Sequence, residues 1–164
     1  MLYLTTLLFS IVVTIAVMPY AKALACRLRS VDEPNQRKIH ESTMPKCGGM
    51  AMTIGAMVPI MLWAPITPFT KGLLLGIIVI VCFGVADDIK DLNPYNKLIG
   101  QLMGALAAVL IGGVKISNLG DFLPAGMVLH DILAIPLTAL VIIGVTNATN
   151  LSDGLDGLAG GIGL

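Results

Sequence analysis

Five apolar stretches parted by short polar ones constrain this chain more than any other feature. The most extreme is Ile132–Val145, fourteen consecutive residues without a charge. A helix needs about 20 largely apolar residues to cross the hydrocarbon of a bilayer. Five segments approach that length: roughly Leu2–Leu24, Cys47–Trp63, Gly72–Ala86, Leu98–Val114 and Val128–Val145. The third is short, so its helix is expected to extend into the polar flanks. A sixth begins near Leu155 and reaches only Leu164, too short to cross. Charged residues make up 12% of the chain, where a soluble domain carries about a quarter. The expected fold is therefore an all-α polytopic membrane protein, one transmembrane domain over residues 1–164, with five transmembrane helices and the start of a sixth. The apolar run Met1–Tyr20 has no basic leader and is too long for a signal-peptide core, so it reads as a retained span.

Charge distribution predicts the orientation. Lys22, Arg27, Arg29, Arg37, Lys38 and Lys46 lie in or beside the first connection, and Lys90 and Lys97 in the third. The second and fourth hold only Lys71 and Lys115. Basic residues mark cytoplasmic loops, so the N-terminus is expected outside and the odd connections inside. Eight of the ten acids, among them Asp87, Asp88, Asp91, Asp153 and Asp156, fall on that same cytoplasmic side, while Asp121 and Asp131 fall outside. Three polar segments, distant in sequence, thus converge on one end of a helical bundle. Within the spans, Gly100, Gly104, Ala108 and Gly112 recur every fourth residue, as do Gly72 and Gly76. Small residues at that spacing let helix backbones approach closely, and packing is the role assigned to them.

Other classes find little support. Lys plus Arg equals Asp plus Glu, so no bulk charge draws the chain to nucleic acid, and there is neither a P-loop nor zinc-ligand spacing. Cys26, Cys47 and Cys82 are scattered and odd in number, which suits packing rather than a disulfide framework. His130, beside Asp131 on the outer side, is read as incidental.

Three stretches could carry chemistry. In FGVADDIKDLNPYNK, residues 83–97, a continuous helix would crowd Asp87, Asp88 and Asp91 on one side. Such carboxylates repel unless a cation relieves them, and Mg²⁺ prefers oxygen ligands and bridges carboxylates to phosphates. A solvated helix end with Lys90 and Lys97 as countercharges accounts for the same residues. In TNATNLSDGLDGLAGG, residues 146–161, Asn147, Asn150, Asp153 and Asp156 are spaced by three, with a glycine after each aspartate. A three-residue step turns a helix by about 300°, so four such positions fan over half its circumference. A helix broken at the glycines could aim all four into one cavity, since irregular backbone at membrane depth is tolerated where it lines a polar cavity. A glycine-rich turn with helix caps is the plainer alternative. In VDEPNQRKIHESTMPKCGG, residues 31–49, Arg37, Lys38, His40 and Lys46 would face the same cavity. Cations opposite acids suit a phosphate-rich, metal-bound substrate. Ordinary membrane anchoring explains their charge but not the Pro34-Asn35 and Gly48-Gly49 punctuation.

Together, VDEPNQRKIHESTMPKCGG, DDIKD and NATNLSDGLDGLAGG resemble the three N-terminal motifs of the polyprenyl-phosphate N-acetylhexosamine-1-phosphate transferases (glycosyltransferase family 4). DDxxD alone is weak, whereas N-x-x-N-x-x-D-G-x-D-G-L-A beside it is highly specific. The family includes the initiating enzymes of O-antigen, enterobacterial common antigen and teichoic acid synthesis, with the phospho-N-acetylmuramoyl-pentapeptide translocase as a more distant member. The first loop is closer to the N-acetylglucosamine-type branch. The resemblance implies an enzyme of the bacterial cytoplasmic membrane, active face inward. It would transfer a sugar-1-phosphate from a UDP-sugar to a polyprenyl phosphate lipid such as undecaprenyl phosphate, releasing UMP, with Mg²⁺ (or Mn²⁺) as cofactor. It further implies that Asp87, supported by Asp88, deprotonates or orients the lipid phosphate. Asn150, Asp153 and Asp156 would hold nucleotide and organise the metal, leaving Asp87, Asp88, Asp153 and Asp156 as catalytic and metal candidates. Asn147, Asn150, Arg37, Lys38, His40, Lys46 and Asp91 are the substrate-binding candidates. Family members are about twice as long and carry a later metal-binding aspartate in a G-D-x-G-S-like motif and a His-rich loop, neither of which is present in residues 1–164. The chain is therefore expected to be an N-terminal fragment or a truncated gene product, inactive alone, with a missing C-terminal half or a second copy as candidate partners.

Three other readings compete. An intramembrane Mg²⁺-dependent prenyltransferase would want N-D-x-x-D-x-x-x-D, but Asp87 and Tyr95 occupy the first and last positions of that string. A secondary transporter would place its broken-helix site near mid-membrane rather than at the cytoplasmic ends. A non-catalytic membrane remnant would need only the packing features.

Overall fold

The computed structural model describes residues 2–28, 30–32, 44–45, 47–120 and 128–152. Five helices account for most of them: α1 (Leu2–Arg27), α2 (Gly48–Trp63), α3 (Pro68–Lys90), α4 (Pro94–Leu106) and α5 (Asp131–Ser152). A π-helical turn, Ala107–Ile111, continues α4. Between α1 and α2 a short antiparallel ladder sets Val31 opposite Pro45 and Asp32 opposite Met44. Each expected apolar stretch thus forms a helix. Three helices, Tyr3–Arg27, Pro68–Lys90 and Asp131–Asn150, are long and apolar enough to cross a membrane, and Gly48–Trp63 is a shorter apolar helix.

The third stretch is longer than its apolar core, for reasons visible at both ends. Thr67 caps α3, its hydroxyl accepting from the Thr70 N–H at 3.2 Å, and Pro68 opens the helix. Proline at a first helical position loses no intrahelical bond. The helix closes at Asp91, whose φ of 46° is left-handed and whose N–H donates to the Asp87 carbonyl at 2.8 Å. Aspartate is among the few residues that tolerate this conformation. Asp91 therefore turns the chain instead of extending the helix, so of the two arrangements open from the sequence it is the helix end, not the continuous helix, that forms. After Leu92, Asn93 caps α4 by accepting from the Tyr95 N–H at 3.2 Å, and Pro94 starts it. A three-residue connection thus folds α4 back along α3.

The packing is inverted relative to a soluble domain. Leu4, Leu7, Leu8, Ile11, Val12 and Ile15 of α1 all point outward, while the buried residues are mostly small. Lipid tails reward no apolar burial between helices, so close backbone approach has to hold them together. The glycine stripes provide it. A β-carbon on Gly72 would collide with the Gly112 backbone, and one on Gly76 would lie 2.8 Å from the Gly104 carbonyl oxygen. The first hairpin works similarly: Ala21, Ala25, Cys47 and Ala51 form one buried cluster between α1 and α2, and Phe9 meets Trp63 edge-on at 5.0 Å at the other end. Helix α5 lies antiparallel to α4. Its Thr138 hydroxyl accepts from the Ile116 N–H at 2.8 Å, and Asp131 pairs with Lys115 at 2.7 Å. The last turns of α3 and α5 and the first turns of α2 and α4 consequently share one end of the bundle.

Candidate active site

At that end, polar side chains from three helices meet. Asp87, in the last turn of α3, accepts from Lys97 Nζ at 3.0 Å through Oδ2 and from the Leu92 N–H at 3.1 Å through Oδ1. Both placements oppose the helix dipoles, which favour cations at C-termini and anions at N-termini. Asp87 is an anion at the end of α3, and Lys97 is a cation in the first turn of α4. Pairing across the tight turn offsets both penalties and leaves the two side chains only partly exposed, 24% and 32% respectively.

Asp87 and Asp88 both line a cavity of about 180 Å³. Lys97 and Gln101 reach it from α4, Thr146 and Asn150 from α5, and Ile80, Phe83 and Gly84 complete its apolar wall. An adjoining space of about 420 Å³ also opens on Asp87, Lys97, Gln101 and Asn147. On the other side Asp88 heads a cleft of about 210 Å³ between α2 and α3, walled by Gly49, Met50, Thr53, Ile80, Val81, Gly84 and Val85. Three spaces thus converge on two adjacent carboxylates.

The sequence-derived candidates separate accordingly. Asp87, Asp88 and Asn150 are brought into one cavity, and Asn147 lines its neighbour. Asp91 is exposed at the α3–α4 turn and lines none of these spaces. Arg37, Lys38, His40, Lys46, Asp153 and Asp156 lie outside the described residues. Helix α5 remains regular through Ser152, so Asn147 and Asn150 fan apart as their spacing requires, Asn147 toward Gln101 and Asn150 toward the carboxylates. Lys97 was legible only as a general countercharge, and Gln101 and Thr146 were missed. A cue to Gln101 existed: it falls four residues after Lys97, on the same helix face, inside an otherwise apolar run.

Among the described residues no group of three or more His, Cys, Asp or Glu side chains forms a metal-binding cluster. The donors in the 180 Å³ cavity are nevertheless suited to a hard cation: two carboxylates and amide and hydroxyl oxygens, with no thiol or imidazole. Mg²⁺ commonly takes one or two protein carboxylates and completes its shell with substrate phosphates and water. Asp87 and Asp88 fit that pattern.

The family model described as glycosyl transferase family 4 matches residues 70–164. A probable undecaprenyl-phosphate N-acetylglucosaminyl 1-phosphate transferase of Bacillus subtilis is 33% identical over 158 residues, covering 93% of this chain and 43% of that protein. A decaprenyl-phosphate N-acetylglucosaminephosphotransferase of Mycobacterium leprae is 34% identical over 154 residues, covering 86% of this chain and 38% of the relative. A phospho-N-acetylmuramoyl-pentapeptide-transferase of Wolbachia pipientis is 33% identical over 139 residues, 77% of this chain and 42% of the relative. The chain spans less than half the length of each of these relatives. No solved structure matches it.

Proposed function

The chain belongs to glycosyl transferase family 4, and from that premise we propose that it contributes the Asp87–Asp88 half-site of an enzyme that moves N-acetylglucosamine-1-phosphate from UDP-N-acetylglucosamine to undecaprenyl phosphate. The observation that carries this reading is the carboxylate pair at one end of an otherwise apolar bundle, facing Lys97 and Asn150 across a single cavity. A phosphate headgroup can be engaged there while its isoprenoid chain stays in lipid. In the reaction, an oxygen of the lipid phosphate attacks the β-phosphorus of the UDP-sugar. The bond from that phosphorus to the α–β bridging oxygen breaks, UMP leaves with the oxygen, and a polyprenyl diphospho-sugar remains. Phosphoryl transfer of this kind needs positioning and charge stabilisation more than covalent help from the protein.

Asp87, oriented by Lys97 and the Leu92 N–H, would take up or orient the proton of the lipid phosphate, with Asp88 beside it. Asn150, Asp153 and Asp156 would hold the nucleotide, while Arg37, Lys38, His40 and Lys46 would offset phosphate charge. When bound by Asp87, Asp88, Asp153 and Asp156, Mg²⁺ supplies charge neutralisation at the diphosphate oxygens. The matched stretch is under half of each relative, so residues 1–164 expressed alone should insert in membranes without catalysing the transfer. The activity test therefore takes the protein from its whole reading frame: Mg²⁺-dependent UMP release from UDP-N-acetylglucosamine should require added polyprenyl phosphate. UMP release indifferent to the lipid would overturn the reading.

The same reading places five spans across the bacterial cytoplasmic membrane with the carboxylate end inward, supported by the eight-to-two division of basic residues between odd and even connections. Cys47 is a poor reporter of this because it is buried against α1. Asn96 and Asn118, both exposed and at opposite ends of the α4 region, serve better. In a background lacking the three native cysteines, a membrane-impermeant thiol reagent applied to intact cells should label Asn118→Cys and spare Asn96→Cys. The reverse pattern would invert the topology.

A further inference from the structure

We propose that Gln101 and Asn147 form a latch between α4 and α5 that positions Asn150 against the Asp87–Asp88 cavity, making both positioning residues and committing the amide donors of Asn147 to the protein rather than to substrate. The kinetic part of this inference rests on the transferase reading above. The latch itself rests on geometry. Gln101 is 5% exposed, and a buried amide left unpaired is costly. Its Nε2 donates to Asn147 Oδ1 at 3.1 Å, and Asn147 Nδ2 donates back to Gln101 Oε1 at 2.9 Å. Asn147 Nδ2 also donates to the Ile143 carbonyl at 3.1 Å. A side-chain amide carries two N–H donors, so both donors of Asn147 are engaged within the protein. It could offer one to a nucleotide only by breaking the pair or its bond to α5.

The fully buried apolar residues on these elements, Ala105, Val109, Ala134 and Ala139, are all small or short, so directional polar contacts contribute strongly to fixing how α5 is turned. Polar anchors sit at both ends of the contact: the Thr138 hydroxyl with the Ile116 N–H and the exposed Lys115–Asp131 pair at one end, and Gln101 with Asn147 at the other. The nine-residue interval between Thr138 and Asn147 is about 13 Å of helix. Two parallel amide bonds fix rotation as well as distance, since turning α5 by one residue, about 100°, would break both. Asn150 lies less than one turn beyond Asn147, so whatever fixes the azimuth of one fixes the other.

The test uses the protein from its whole reading frame, purified in detergent, with Gln101→Leu, Asn147→Leu, the double leucine variant and the exchange Gln101→Asn with Asn147→Gln. The latch predicts that each single leucine variant lowers kcat on the order of a hundredfold, as a small misplacement of a reacting constellation can, with KM for UDP-N-acetylglucosamine little changed. The exchange, which rebuilds an amide pair of the same combined length, should recover most of the loss. A raised KM in the Asn147 variants without recovery in the exchange would make Asn147 a substrate ligand and overturn the proposal. Thermal midpoints separate the latch from the transferase reading. If wild type releases no UMP, that reading fails, and the midpoints alone decide: a double leucine loss smaller than the sum of the single losses supports the latch, and additive losses overturn it. Should the leucine variants not accumulate, an exchange variant that accumulates as wild type does supports the latch, and one that also fails to accumulate contradicts it.

Discussion

Replacing Asp87 by asparagine should lower UMP release by roughly 10²–10⁴-fold, the range expected for loss of a positioned proton acceptor. The substitution keeps the shape of the side chain. Its carbonyl oxygen can still accept from either Lys97 or the Leu92 N–H, the two donors now held by the carboxylate. The α3–α4 hairpin should therefore fold, because its turn is made by the left-handed Asp91 and the Asn93 cap, which are untouched. What disappears is negative charge in a partly enclosed cavity beside a lysine. A fall in kcat with KM for the UDP-sugar nearly unchanged would place Asp87 at the lipid phosphate and the transition state. Asp131→Asn removes a carboxylate at the opposite end of the bundle, where it pairs with Lys115, and should leave turnover near wild type. Equal activity in the Asp87 and Asp131 variants would reduce Asp87 to a helix-end countercharge.

Gly76→Leu should destabilise the protein by about 1–3 kcal/mol or more, the usual cost of overpacking a filled interior. The obstacle is backbone: a β-carbon on Gly76 would stand 2.8 Å from the Gly104 carbonyl oxygen, and one on Gly104 would stand 2.9 Å from the Gly76 carbonyl oxygen. No side-chain rotation relieves such a clash, so α3 and α4 must part. Because α4 carries both Lys97 and Gln101, the separation should reach the cavity and lower turnover together with thermal stability. Gly144→Ala is the matched control, with nothing within 4 Å of its added β-carbon. It should leave the midpoint of detergent unfolding unchanged or slightly raised. A Gly76→Leu midpoint equal to that of Gly144→Ala would mean the glycine stripes are not the packing surface.

The glycine register was legible because a four-residue repeat of small side chains has one main physical use in lipid, and Gly72 and Gly76 indeed face Gly112 and Gly104. Helix existence was legible from apolar length alone. Helix ends were not, because capping chemistry lies outside the apolar runs: Thr67-Pro68 and Asn93-Pro94 start α3 and α4 within polar sequence. The π turn at Ala107–Ile111 left no composition signal. At the candidate site, Asp87, Asp88 and Asn150, which residue type and membrane side single out, line one cavity. Spacing alone cannot show that Asp91 will adopt φ of 46° and end its helix, so the sequence leaves a continuous helix and a helix end both open there. Gln101 was missed because its partner lies 46 residues away in sequence, and a tertiary amide pair leaves no local pattern.

In the proposed reaction, phosphorus as well as sugar crosses from nucleotide to lipid at the Asp87–Asp88 end of the bundle. The direct test gives membranes holding the protein, from its whole reading frame, UDP-N-acetylglucosamine radiolabelled at the β-phosphorus, with polyprenyl phosphate and Mg²⁺. Label should enter the lipid fraction as a diphosphate while unlabelled UMP appears in water in equal amount, and Asp87→Asn should lower both by the same roughly 10²–10⁴-fold factor. Label remaining in water as UDP while sugar enters the lipid, or label transferred equally well by Asp87→Asn, would contradict it.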